Sequence, residues 1–98
     1  MLTEDQIMEA LHGVIDPEIG INIVDLGLIY NLDIKNDSVV VTMTLTTPGC
    51  PMHSSMAEGV ERAIKHLEPN LNSEVNLVWE PKWTPDMMTD YAKDQLGF

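Results

Sequence analysis

The sequence predicts an α+β fold, a two-layer sandwich with helices on one face of a three-stranded mixed sheet and elements in the order α-β-β-α-β-α. Three observations carry this expectation. Apolar residues recur at helical spacing in two segments, at Ile7, Leu11 and Val14 and again at Met56, Val60, Ile64 and Leu67. Two neighbouring runs alternate with period two, Leu28-Tyr30-Leu32-Ile34 and Val39-Val41-Met43-Leu45, across the polar turn Lys35-Asn36-Asp37-Ser38. A third alternating run follows the second helix, so the connection between strands two and three is a crossover and their pairing is parallel.

The elements follow in order. Helix one runs from about Glu4 to Val14, with Thr3 as N-cap, Gln6 completing a capping box, and Leu2 and Ile7 spaced for a hydrophobic staple. Gly13 weakens its end and Asp16-Pro17 stops it. The hairpin comes next; each strand has one apolar and one mostly polar face, which calls for helices on one side only. Thr47-Pro48-Gly49-Cys50-Pro51 breaks the second strand and opens helix two, whose end is set by Pro69. Strand three fits Glu74 to Glu80, with Val75, Leu77 and Trp79 on one face. Thr84 then caps a C-terminal helix that begins at Pro85 and turns Met88, Ala92 and Leu96 inward.

Length and composition narrow the function. The 98 residues make a single domain, 1–98, with 44% hydrophobic and 21% charged residues. Sixteen Asp and Glu stand against five Lys and Arg, for a formal charge of −11. Such a surface repels nucleic acid and anionic membranes and suits basic partners or metal cations. Residues 1–15 carry Glu4, Asp5 and Glu9 where a secretory signal would be basic and then apolar, and no apolar run is long enough to cross a bilayer. With one cysteine there is no internal disulfide, so the expected location is the cytoplasm and Cys50 is a free thiol.

Cys50 is the principal candidate for function. It stands at a strand end, in a Pro-Gly-Cys-Pro turn, before a helix. A helix N-terminus offers unpaired N–H groups and positive potential, which stabilise a thiolate that can ligate metal or attack an electrophile. Against this stands the packing role of a buried cysteine as a small hydrophobe. His53, three residues on, is a candidate base or ligand; His12 and His66 read as structural and surface residues. Asp16 and Glu18 flank Pro17 and offer two carboxylates, although Asp at such a turn often serves the turn alone. Thr46 and Thr47 bring hydroxyls beside Cys50. Trp79, Trp83, Met87 and Met88 form either core or an apolar partner surface.

Four segments in order, Asp16-Pro17-Glu18, Val24-Asp25-Leu26-Gly27-Leu28, Thr46-Thr47-Pro48-Gly49-Cys50-Pro51 and Trp79-Glu80-Pro81-Lys82-Trp83-Thr84-Pro85, resemble the small iron–sulfur cluster assembly domain family. That family includes SufT-type maturation factors and PaaD-type phenylacetate-degradation proteins. The resemblance implies a role in maturing or delivering iron–sulfur clusters, with Cys50, Asp16, Glu18, Thr46 and Thr47 as the site. PaaD-type members can carry a further cysteine-rich C-terminal segment, and this sequence has none after Pro85, which favours the general maturation branch.

Clusters usually take four protein thiolates, and one chain supplies one. The implied cargo is therefore a transient iron–sulfur cluster or iron, held through Cys50 with Asp16 or His53, and passed between the assembly machinery and client apoproteins. A homodimer would supply a second thiol, and an adaptor that never holds metal fits equally well. Two other readings stay open. One is a thiol enzyme using Cys50 with His53 or Asp16; the other is a metal-free interaction domain, including an accessory part in phenylacetate-type ring oxygenation.

Overall fold

In the computed structural model, residues 3–17, 19–46 and 53–97 are described, with the backbone alone at 53–55. The elements are α1 (Glu4–Leu11), β1 (Ile29–Ile34), β2 (Ser38–Met43), α2 (His53–Leu67), β3 (Asn72–Leu77) and α3 (Asp90–Leu96), with a 3-10 turn at Pro85–Met87. The order α-β-β-α-β-α is the expected one.

Helix α1 starts where its cap dictates. Thr3 Oγ1 accepts from Gln6 N at 3.2 Å, and Gln6 Oε1 accepts from Thr3 N at 2.9 Å. The box satisfies two backbone donors that the helix cannot. The helix ends three residues before Val14, as the glycine at position 13 allows. Leu2, the other half of the expected staple, lies outside the described residues.

The sheet order is β1-β2-β3. β1 and β2 are antiparallel, with Leu32 opposite Val41 and Ile34 opposite Val39; β2 and β3 are parallel, with Val41 opposite Val75 and Met43 opposite Leu77. Val39, Val41 and Met43 are fully buried on the inner face of β2. On the other face Asn31, Asp33, Asn72, Glu74 and Asn76 are exposed. Ile7 and Leu11 of α1, Met56, Val60 and Ile64 of α2, and Met88 and Ala92 near the C-terminus join the inner face in one core.

Four expectations change in detail. The β1 register shifts between Ile29 and Asn31, so Ile29 sits opposite Met43 and Tyr30 is the extra residue of a bulge. Tyr30 thereby leaves the alternation read from the sequence. Leu67 is the last residue of α2 and is 38% exposed, so it does not join the core stripe expected of it. β3 stops at Leu77, so Trp79 lies past the strand and is 42% exposed. The C-terminal helix divides into the 3-10 turn and α3, since Thr89 supplies a second cap by accepting from Ala92 N; Leu96, 38% exposed, points away from the core.

Candidate functional site

The segment joining α1 to β1 is long for a compact domain, and its own hydrogen bonds give it shape. Ile15 and Asn22 form an isolated antiparallel bridge, and Ile23 N donates to Val14 O at 3.0 Å. Inside that bridge, Asp16 N donates to Ile21 O at 3.0 Å, while Asp16 O accepts from Gly20 N at 2.7 Å. The loop closes at Gly20, whose φ of +81° lies in the left-handed region that glycine enters at low cost. The result is a tight acidic loop with Asp16 only 7% exposed.

This loop lies against the start of α2. A Cβ on Gly59 would stand 3.3 Å from Val14 Cγ1, so the end of the α1 segment packs closely on α2. Pro17 and Met56 line the same groove. The loop bearing Asp16 therefore runs beside the first turns of α2. The six residues 47–52, Cys50 among them, connect Thr46 to the first residue of that helix.

Of the candidates drawn from the sequence, Asp16 is buried in its loop and Thr46 is half-buried after β2. Cys50, Thr47 and Glu18 lie outside the described residues, as does the side chain of His53. Among the described residues no group of three or more His, Cys, Asp or Glu is arranged to hold a metal ion. His12 is exposed, with Nδ1 2.8 Å from Met8 O, and His66 is on the surface.

Two of the four segments prove to be halves of one clamp. Trp83 Nε1 donates to Leu26 O at 2.6 Å. Thr89 N donates to Asp25 O, and Thr89 Oγ1 to Asp25 Oδ1, both at 2.9 Å. Asn22 orients Asp25 from the other side: Asn22 Oδ1 accepts from Asp25 N at 2.9 Å and Asn22 Nδ2 donates to Asp25 Oδ2 at 2.6 Å. Gly27, at φ +80°, faces the backbone of Met87 so closely that a Cβ would collide with the Met87 carbonyl. Asp25, Leu26 and Gly27 thus receive the C-terminal segment. The apolar patch expected there divides accordingly: Met88 is buried and Trp83 half-buried, whereas Trp79 and Met87 are exposed.

A second polar cluster was not read from the sequence, because the bulge creates it. Tyr30 Oη donates to Pro81 O at 2.7 Å and lies 3.6 Å from Met87 Sδ; the Glu80–Pro81 peptide is cis. Burial raises the Tyr30 phenol above its ordinary pKa of 10.0, the Thr44 side chain offsets part of that rise, and the charge of Glu80 adds to it. Thr44 Oγ1 is itself buried with no partner of hydrogen-bond geometry among the described residues.

Comparison with known proteins adds to this geometry. Residues 4–77 match the family described as iron–sulfur cluster assembly protein. The chain is 44% identical over 95 residues to the Fe-S protein maturation auxiliary factor YitW of Bacillus subtilis, covering 96% of this chain and 93% of that one. It is 47% identical over 85 residues to the Fe-S protein maturation auxiliary factor SufT of Staphylococcus aureus, covering 86% and 97%. A crystal structure of a domain of unknown function from Bacillus anthracis superposes with a TM-score of 0.90 at 39% identity, covering 97% of this chain and 92% of that one.

Proposed function

The chain belongs to the iron–sulfur cluster assembly protein family, and from that premise we propose that it is a maturation factor that helps deliver iron–sulfur clusters to client apoproteins, with Cys50 as the transfer point. The observation that carries this reading is the near full-length likeness to maturation auxiliary factors, 93% and 97% of whose lengths are matched. Convergence of the acidic loop on the start of α2 supports it, since Pro17 and Met56 share one groove.

The cargo is a transient cluster or iron. Four thiolates make a stable cluster site and this chain offers one, so its grip is weak and the cargo is free to move on. Asp16, Glu18, Thr46 and Thr47 are the supporting residues of that site, and His53 is a further candidate ligand. The partners are the assembly machinery and the client proteins, and a homodimer would bring two thiols together. The role is that of an assembly factor rather than an enzyme, exercised in the cytoplasm. Among the described residues no helix is long and apolar enough to cross a membrane.

Anaerobic reconstitution with ferrous iron and sulfide tests the carrier role. Wild type is expected to gain visible absorbance and bound iron that Cys50→Ser lacks. Equal uptake by the two proteins refutes transfer through Cys50. Maturation of a client enzyme, measured with and without the chain, then separates an adaptor from a protein with no part in assembly.

A further inference from the structure

We propose that the groove between α1 and α2 is a docking site for an acidic amphipathic helix of a partner protein. The groove measures about 540 Å³, enough for a few side chains of a docked segment. Its floor is shallow because the residues that make it are small: Ala10 near the end of α1 and Gly13 just after it, Gly59 and Ala63 one turn apart on α2. Ile15 forms part of its wall and is 49% exposed, the most exposed aliphatic side chain among the large exposed hydrophobics. An apolar trough between two helices, with a branched side chain left open to solvent, suits the apolar stripe of a third helix.

Charge selects the kind of helix. Acids outnumber Lys and Arg by 16 to 5 in the chain, yet among the described residues the two ionisable side chains that line this groove are Arg62 and His66. They stand one turn apart on the exposed flank of α2, beside Gly59 and Ala63. The macrodipole accounts for His66 in the last turn of α2, but Arg62 lies further in and owes little to it. A carboxylate on the docked helix would meet Arg62 at contact distance. Glu58 and Glu61 flank Arg62 on α2, and the repulsion of the acids further off is screened beyond about 8 Å at physiological salt. This inference does not depend on the cargo or on Cys50.

The test uses the full chain and two fluorescein-labelled synthetic helices, each with Leu and Ala on one face. One carries Glu on the other face and its companion carries Gln. Fluorescence anisotropy at physiological salt is expected to show about twofold to fivefold tighter binding of the Glu peptide. Arg62→Gln should remove that advantage while the Gln peptide binds as before. Ile15→Glu should weaken both peptides. Circular dichroism checks that each variant keeps the wild-type fold, and both positions are exposed. Equal binding of the two peptides, a Glu advantage that survives Arg62→Gln, or no binding at 1 mM peptide overturns the proposal. So does sedimentation showing that a second copy fills the groove, as self-association lost in Ile15→Glu.

Discussion

Replacing Gly27 with alanine should cost far more than the same change at Gly20, although both residues have nearly the same left-handed backbone, φ +80° and +81°. In each case alanine pays about 1–2 kcal/mol for that conformation. At Gly20 the added methyl meets nothing within 4 Å, so the backbone cost is the whole cost. At Gly27 it meets the Met87 carbonyl, with the carbonyl carbon 2.8 Å away. That group is backbone and cannot swing aside, so the Pro85–Met87 turn must lift. The turn is tied down on both sides by Trp83 Nε1 to Leu26 O and by two bonds from Thr89 to Asp25. Losing three hydrogen bonds at about 0.5–1.5 kcal/mol each adds about 1.5–4.5 kcal/mol.

Gly27→Ala is therefore expected to lose about 2.5–6.5 kcal/mol and Gly20→Ala about 1–2, against a usual domain stability of about 5–15 kcal/mol. Urea unfolding followed by far-ultraviolet circular dichroism measures both. Tryptophan emission in a Trp79→Phe background reports on Trp83 alone, and in native Gly27→Ala it should shift to the red as the clamp opens. The reasoning fails if the two glycine variants differ by less than about 0.5 kcal/mol, the usual scatter between independent sites. It fails equally if native Trp83 emission stays at the wild-type wavelength.

Two further predictions follow from local chemistry. Burial raises the Tyr30 pKa in the folded chain, so its contribution to stability is complete below pH 10.0 and is lost as pH rises through the folded value. Tyr30→Phe should flatten the alkaline decline of stability while losing about 0.5–1.5 kcal/mol at neutral pH with the bond to Pro81 O; an unchanged alkaline limb in urea titrations from pH 9 to 11 would contradict this. Thr3→Ala breaks the capping box and should lower stability by about 1 kcal/mol. That loss corresponds to about 4–8 °C in Tm for a domain of this size, and a thermal midpoint within 1 °C of wild type would show that the cap contributes nothing.

The sequence by itself determined the order of elements, the mixed sheet and the single-sided core, because each rests on periodicity within single elements, such as residues 28–34 and 56–67. It also determined the start of α1, since Thr3 and Gln6 are a local pair whose bond needs no tertiary partner. The family was legible for a related reason: the four segments keep their order along the chain, and order survives without knowledge of contacts. Only the tertiary structure decided what those segments do. Asp25 and Leu26 stand in one of those segments, but more than 50 residues separate them from the Thr89 and Trp83 that donate to them. No local pattern encodes that distance. The Tyr30 bulge was equally hidden, because one extra residue in one strand leaves the composition of the run unchanged and shifts only its register. Asp16 shows the two sources acting together: its place before Pro17 marks a turn, and the loop closed by the bridge from Ile15 to Asn22 leaves it only 7% exposed.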